Sequence, residues 1–390
     1  MIKESNAMLL TGNHAVSYGA MLAKPKVIPI YPITPQTPIA EKLTELQLSG
    51  ELEAETMTPE SEHSAMAACI TASLTGVRVF TATASQGLFL MHEMLHYASG
   101  ARAPIVMANV NRTIGSPWGF WPDTTDSLAQ RDTGWIQYYS ESAQESLDTV
   151  LQAYRTAEQV MLPAMVIHEA FYVSHSLEVV EVPSHSMVDS YLPPFDPEIY
   201  LDPSINRCWG NVVNQEMFWR HRKALGEAMD QTFAVAAKAD AEWKELTGRG
   251  YELVEAYRCE GAEILIVTMG SMCGTTREAV DLMREQGLAV GLVKVRLFRP
   301  FPVQQLQNLL KGVPRVMVMD RNFSPGLGGV LHQEVKAALY GMDKAPAIHG
   351  YLVGVGGLNV SPDLIAKLVR RTGQAQPEIN SIWVGEEDGA

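Results

Sequence analysis

The chain has 390 residues, 46% of them hydrophobic and 19% charged, enough for one large or two smaller well-filled cores. A formal net charge of −14 with no basic stripe argues against a nucleic-acid partner; it suits solubility, or docking to basic patches on partner subunits. No apolar stretch reaches the roughly 18 residues of a membrane span, and the opening residues do not read as a signal peptide. The four cysteines (Cys69, Cys208, Cys259, Cys273) are scattered without a C-x-x-C pair, so the chain alone offers no zinc or iron–sulfur site. Together these features predict mostly buried thiols in a reducing compartment, hence a cytoplasmic protein without membrane contact.

In chain order, Val27–Tyr31 predicts a strand and Thr37–Leu46 a helix. Glu62 opens an apolar, Ala-rich helix (Ala65, Met66, Ala67, Ala68, Ile70), where an acid is poised for proton chemistry rather than for solubility. Val77–Ala82 predicts a strand followed by a helix through Leu88–Tyr97, and Pro104–Val110 and Pro163–His168 predict two more strands. Strands alternating with helices imply a parallel sheet covered by helices on both faces. Three polar strings, at 31–35, 59–65 and 81–88, fall where strands give way to loops or helices. The ends of parallel strands are where such folds present groups to a ligand.

From Glu178 to Pro203 the chain turns Pro-rich and reads as an irregular arm, and Gln215–Leu246 as a long charged helix. A second α/β unit begins near Ala262. Its predicted strands are Ile264–Gly270, Val290–Val295 and Val316–Asp320, its helices Thr275–Gln286 and Gln304–Leu310, with a Gly-rich stretch at 324–329. The expected division is therefore two domains, 1–245 and 255–390, both α/β.

Several residues invite chemistry. Thr34 stands between Pro32 and Pro35, which stiffen the strand exit and hold its hydroxyl toward a ligand, although such a string is also a common turn. Arg112 follows a predicted strand; its forked donors suit a substrate carboxylate, the alternative being an ion pair with Asp123 or Asp126. His92-Glu93-Met94-Leu95-His96 fits the helical zinc motif of metallohydrolases, but no third ligand follows at the required spacing, and packing among Leu90, Met91, Met94 and Leu95 is the alternative. Gly270-Ser271-Met272-Cys273-Gly274 and Gly326-Leu327-Gly328-Gly329 follow strands but read as turns rather than nucleotide loops.

Taken together, a set of strings resembles the α subunit of 2-oxoacid:ferredoxin oxidoreductases. They are Tyr31-Pro32-Ile33-Thr34-Pro35-Gln36-Thr37, Glu60-Ser61-Glu62-His63-Ser64-Ala65, Ser85-Gln86-Gly87-Leu88, Met91-His92-Glu93, Pro104-Ile105-Val106-Met107, Asn111-Arg112, Gln130-Arg131-Asp132-Thr133-Gly134-Trp135, Arg299-Pro300-Phe301-Pro302 and Asp320-Arg321-Asn322. The resemblance covers nearly the whole chain, with order and spacing kept. It implies a pyrimidine-type thiamine-diphosphate-binding domain followed by a domain similar to the C-terminal domain of transketolases. The implied reaction converts a 2-oxoacid and coenzyme A to acyl-CoA and CO₂, with electrons passing to ferredoxin. Thiamine diphosphate with Mg²⁺ would be shared with a β subunit that holds the diphosphate, the metal and the nearest four-iron–four-sulfur cluster. Further clusters would lie on γ/δ-type partners and none on this chain, as expected of an enzyme of anaerobic metabolism.

By the same resemblance, Glu62 matches the acid that hydrogen-bonds the aminopyrimidine ring and favours the tautomer able to take the reactive-carbon proton. Thr34 matches a substrate-contacting hydroxyl, Pro32 the neighbouring wall of the cofactor pocket, and Arg112 the arginine that orients the substrate carboxylate. The loop after Arg112 departs from pyruvate-type relatives: Asp123-Thr124-Thr125-Asp126 follows Pro117, Trp118, Phe120 and Trp121. This resembles the 2-oxoisovalerate branch, with aryl acids such as phenylglyoxylate also accommodated and pyruvate as the alternative. In that reading Trp118 lines a larger apolar pocket; the other reading packs the rings into a subunit interface. Thr34 also differs from oxalate-using relatives, which carry arginine there. The rival functions are a non-redox thiamine enzyme, a non-catalytic scaffold and, most remotely, a hydrolase using His92 and His96.

Overall fold

The computed structural model describes residues 5–385. Its first sheet is built on parallel strands in the spatial order Phe80–Thr83, Val106–Asn111, Ala164–Glu169 and Ile136–Tyr139. A bridge from Val27 to Val79 adds the parallel pair Val27–Pro29 and Glu55–Met57 alongside Phe80–Thr83. Every residue of the four main strands is buried, because helices cover both faces. That is why apolar residues occur on both faces of these strands instead of alternating with solvent-facing ones, while the polar exceptions, among them Thr83, Asn109, Asn111 and His168, are buried too.

The strand expected over Val77–Ala82 is shifted to Phe80–Thr83. Arg78 sits ahead of the ladder, its buried guanidinium paired with Glu158 at 2.6 Å and bonded to the carbonyl of Ala23. The helix expected through Leu88–Tyr97 is two helices, Ser85–Leu90 and His92–Gly100, meeting at buried Met91.

The arm expected to be irregular from Glu178 begins instead as a strand. Leu177–Pro183 runs antiparallel to Ser5–Thr11, with Val180 and Val182 buried and Leu177 and Val179 facing out. Its partner lies some 170 positions upstream, so no local pattern announced it. A short helix, His185–Tyr191, follows, capped by the Ser184 hydroxyl on Met187 N–H, and irregular chain then leads to Asn214. The helix Gln215–Thr247 starts on the Asn214 side chain and stops at Gly248, in the left-handed conformation (φ 79°). Ala236, Ala239 and Trp243 bury its C-terminal half, whereas Met217, Phe218 and Trp219 leave its first turns exposed.

The second sheet runs Ile382–Trp383, Ala347–Leu352, Arg315–Asp320, Ile264–Thr268, Val290–Val295 and Val254–Tyr257, parallel except for the last strand. The two sheets are tied in three ways. A short strand, Leu297–Arg299, pairs antiparallel with Ile136–Tyr139 and so completes the edge of the first sheet. One apolar cluster holds Ile105, Met107 and Ile167 of the first sheet and Leu265, Val267 and Val293 of the second. Lys294 Nζ reaches Glu145 at 2.8 Å and Glu141 at 3.4 Å, and Arg296 Nε lies 3.0 Å from Glu145. Lys294, Arg296 and Glu145 are fully buried, so removing Glu145 would take the nearest counter-charge from two cations in the joint.

A candidate active site at the strand ends

Ser61 caps the helix Glu62–Leu74 through its side chain, and Glu62 is the first helical residue. Ala65, Met66, Cys69 and Ile70 seat the helix, which pulls Glu62 to 6% exposure. No side-chain hydrogen bond or ion pair engages its carboxylate among the described residues. What makes room for it is Gly87: a Cβ there would stand 2.5 Å from Glu62 Oε1 and 2.5 Å from Thr83 Oγ1. Thr83 Oγ1 is itself buried without a partner. An acid and a hydroxyl, both unsatisfied and facing a missing side chain, form a polar cradle for a hydrogen-bonding ring.

Arg112 leaves the end of Val106–Asn111 and bridges two other segments. Its guanidinium donates to the Thr34 carbonyl and to Gln86 Oε1, while buried Nε has no partner. Gln86 adjoins Gly87, so Thr34, Arg112 and Glu62 all meet at one end of the sheet. The ion pair considered for Arg112 is not formed: its backbone N–H, not its side chain, bonds Asp126 Oδ2 at 3.3 Å. Thr34 and Pro32 are exposed on their loop, which Asn13 Nδ2 steadies through the Pro35 carbonyl at 2.8 Å. Asn13 in turn meets His168 Nε2 at 3.0 Å, and burial pushes the His168 pKa down to about 3, so this histidine is neutral.

Asp126 is the knot of the site. Its carboxylate accepts from the backbone N–H of Ser85 (2.9 Å), Arg112 and Ser127 (2.6 Å), and from the amides of Asn109 (3.3 Å) and Asn111. Burial pushes its pKa up to about 6, against the pull of those donors. It holds the turn after Phe80–Thr83, where Ser85 takes a positive φ of 49°, to the end of the neighbouring strand.

The aromatic loop splits into two roles. Trp118 and Phe120 stack edge-on at 5.2 Å, and the Arg112 guanidinium lies over both rings, 5.0 and 5.7 Å from their centres. Trp118 is 54% exposed on the open side. Trp121 turns the other way, 5.3 Å from Phe171, with its Cβ where a side chain on Gly357 of the second unit would stand.

His92 and His96 are exposed rather than packed into the core. Their rings meet edge-on at 5.1 Å, and His92 Nδ1 contacts Gln130 Oε1. Glu93 lies 3.7 Å from His63 instead, and no cluster of three metal-ligating side chains occurs among the described residues. Of the cysteines, Cys69 and Cys273 are buried, Cys259 is half-buried and Cys208 is exposed. No helix among the described residues is long and apolar enough to cross a membrane.

Comparison with known proteins identifies the family. Residues 18–241 match the family described as pyruvate flavodoxin/ferredoxin oxidoreductase, thiamine diphosphate-binding, and residues 262–365 match pyruvate:ferredoxin oxidoreductase core domain II. The chain is 46% identical to the pyruvate synthase subunit PorA of Methanothermobacter thermautotrophicus, over 97% of both chains. It belongs to the 2-oxoacid:ferredoxin oxidoreductases, as an α subunit. The ketoisovalerate oxidoreductase subunit VorA of Pyrococcus horikoshii is also 46% identical, over 90% of this chain and 89% of its own, so identity does not separate the two substrate branches. In fold, the α subunit resembles a 2-oxoglutarate:ferredoxin oxidoreductase from Magnetococcus marinus (TM-score 0.70, 20% identity), covering 94% of this chain and 65% of that one. A split-gene transketolase matches at TM-score 0.51 and 12% identity, over 94% of this chain and 98% of its own.

Sequence reasoning placed the string 81–88, which holds Thr83, Gln86 and Gly87, at a ligand-presenting strand end without giving these residues individual roles, and took Asp126 only as a rival partner for the Arg112 side chain. The available signal was Asn109 and Asn111, two amides on one face of a buried strand that demand a buried acceptor.

Proposed function

We propose that this α subunit supplies the aminopyrimidine side and the substrate-carboxylate side of a thiamine diphosphate site, completed by a β subunit, for CoA-dependent oxidative decarboxylation of a 2-oxoacid. The observation that carries this reading is the buried, unpartnered Glu62 carboxylate facing the gap left by Gly87. The cofactor, when bound, supplies the electron sink that makes loss of CO₂ feasible. Glu62 would hold the aminopyrimidine ring through a hydrogen bond and exchange a proton with it, and Thr83 would offer a second hydrogen bond in the same cradle. Pro32 walls the cofactor side, Thr34 donates its hydroxyl to the substrate, and Arg112 pairs with the departing carboxylate. Residues 1–245 form the pyrimidine-type domain in this reading and 255–390 the transketolase C-terminal-like one.

In the same proposal, Mg²⁺, the diphosphate and the proximal four-iron–four-sulfur cluster sit on the β subunit, γ/δ-type subunits carry further clusters, and ferredoxin takes the electrons in the cytoplasm. Trp118 and Phe120, exposed beside Arg112, favour a branched-chain or aryl 2-oxoacid over pyruvate, since an apolar wall beside the carboxylate clamp rewards a bulky side chain. Trp121, although half exposed as well, is turned from Arg112 toward Phe171 and Gly357 and so is left out of the pocket. The test is anaerobic, CoA-dependent reduction of a viologen dye by the complex with its native partners, comparing pyruvate, 2-oxoisovalerate and phenylglyoxylate. A bulky acid is expected to be used best, with Trp118→Ala narrowing the preference and Trp121→Ala leaving it in place. Preference for pyruvate overturns the substrate assignment, and no reduction with any acid overturns the electron-transfer assignment.

A further inference from the structure

The Asp320-Arg321-Asn322 run divides its work at the end of the strand Arg315–Asp320. Asp320 and Asn322 face the following helix, Val330–Ala338. Asp320 accepts from Leu331 N–H (2.7 Å) and His332 N–H (3.0 Å), and Asn322 Oδ1 accepts from Val330 N–H (3.2 Å). Arg321 points the other way, into the first unit. Its Nη1 donates to Glu169 Oε2 at 2.7 Å and to Ser271 Oγ at 3.3 Å, and its guanidinium lies 4.9 Å from the centre of the Tyr172 ring. Its backbone carbonyl accepts from both the N–H and the hydroxyl of Thr124, at 3.0 and 3.1 Å.

This is the crevice where a doubly wound sheet ordinarily opens to a ligand. Strand Ile264–Thr268 has neighbours reached by connections in opposite directions, and the gap lies between its end and the end of Arg315–Asp320. Here the gap is filled from outside. Ser271 and Arg321 both donate to Glu169, and Gly270 leaves the room, since a Cβ there would stand 2.7 Å from Glu169 Oε1. The second unit grips the first at this point.

What it grips is the frame of Arg112. Glu169 ends the strand beside Val106–Asn111, and the next residue, Ala170, donates its N–H to the Asn111 carbonyl at 3.1 Å. Thr124 leads directly into the short helix Thr125–Leu128, from which Asp126 holds Arg112 N–H. Arg321 thus brackets Arg112 from both sides, through Glu169 and through Thr124.

We propose that Arg321 is a positioning residue for 2-oxoacid binding: from the second unit it sets the orientation of Arg112, and so the affinity for the substrate carboxylate. The inference rests on the role of Arg112 proposed above. A clamp displaced by about 1 Å can cost up to roughly a hundredfold in the step it serves. Because Arg321 acts only through the carboxylate clamp, its loss should be felt in one kinetic parameter.

The experiment compares Arg321→Lys, Thr124→Val and Arg112→Lys in the assembled complex, measuring kcat and the separate KM values for 2-oxoisovalerate and coenzyme A. Lysine keeps the charge but cannot span Glu169 and Ser271 together. Arg321→Lys should raise the 2-oxoacid KM about tenfold, with kcat within about twofold and the CoA KM unchanged. Thr124→Val, which removes one of two bonds to the Arg321 carbonyl without touching a buried charge, should raise the same KM by a few-fold; it decides the matter if Arg321→Lys fails to assemble. If Arg112→Lys raises the 2-oxoacid KM but the other two leave it unchanged, the inference is wrong and the site reading stands. A parallel rise in both KM values with a lowered thermal midpoint also overturns it, by making Arg321 merely structural. If Arg112→Lys itself leaves the 2-oxoacid KM unchanged, the site reading fails first.

Discussion

Glu62 and Glu169 are two glutamates at the loop ends of one sheet, exposed by 6% and 1%, and their surroundings are opposite. Glu169 is met by a guanidinium and a serine hydroxyl from the second unit. Glu62 is met by no donor among the described residues, only by the space above Gly87 and the unpartnered hydroxyl of Thr83. A carboxylate held at the floor of a strand-end site, with no protein donor, leaves its acceptors for something that binds there. A paired one earns its place in the fold. The same residue type therefore serves assembly at one point and chemistry at another, and the partner set tells them apart.

Exchanging each acid for glutamine should separate the two roles most widely. Glu62→Gln is expected to lower kcat of the assembled complex by about 10²–10⁴-fold, since proton transfer at the cofactor ring is lost, with an unchanged or raised thermal midpoint. Glu169→Gln leaves Arg321 buried beside a neutral amide. It should destabilise the chain by about 3 kcal/mol in denaturant titrations and retain far more turnover than the Glu62 variant. A thermal loss on Glu62→Gln matching that of Glu169→Gln would erase the distinction.

A second, smaller perturbation leaves both acids in place. Gly87→Ala inserts a methyl group where Glu62 Oε1 and Thr83 Oγ1 stand 2.5 Å away. The glycine lies in the short helix Ser85–Leu90, where alanine is otherwise favourable by about 1 kcal/mol. Folding should survive, while the displaced carboxylate loses about a hundredfold in turnover. Retained turnover would mean that Glu62 has freedom to move that the packed helix denies it.

The sequence made one half of this comparison legible. Ser61 ahead of an Ala-rich run marks the helix start that places Glu62, and Arg112 directly follows a buried, largely apolar strand, so both signals are local. Glu169 gives no such sign, because its partners Ser271 and Arg321 are 102 and 152 residues away. The strand Leu297–Arg299 and the strand Leu177–Pro183 escaped notice for the same reason: each is defined by a partner distant in the chain rather than by its own pattern. Propensity and periodicity see neighbours along the chain, whereas strand pairing and buried ion pairs are facts about neighbours in space.

Asp126 stands between the two cases, buried like both glutamates but satisfied by neutral donors alone, and it should give the gentlest effect. With its pKa raised from about 3.9 when unfolded to about 6, it favours the folded state below pH 4 and withdraws that contribution as the pH rises through 6. Its effect on the site runs the opposite way. Ionised, the carboxylate can accept all five of its donors; protonated, one oxygen becomes a donor facing another donor, loosening Ser85 or Arg112. The 2-oxoacid KM of the assembled complex should therefore rise by about five- to tenfold as the pH falls from 7 to 5, with the CoA KM nearly flat. Asp126→Asn imposes the donor clash at every pH, so its KM should begin raised and show no inflection near 6. An inflection that survives in Asp126→Asn would assign the titration to another group and remove Asp126 as its source.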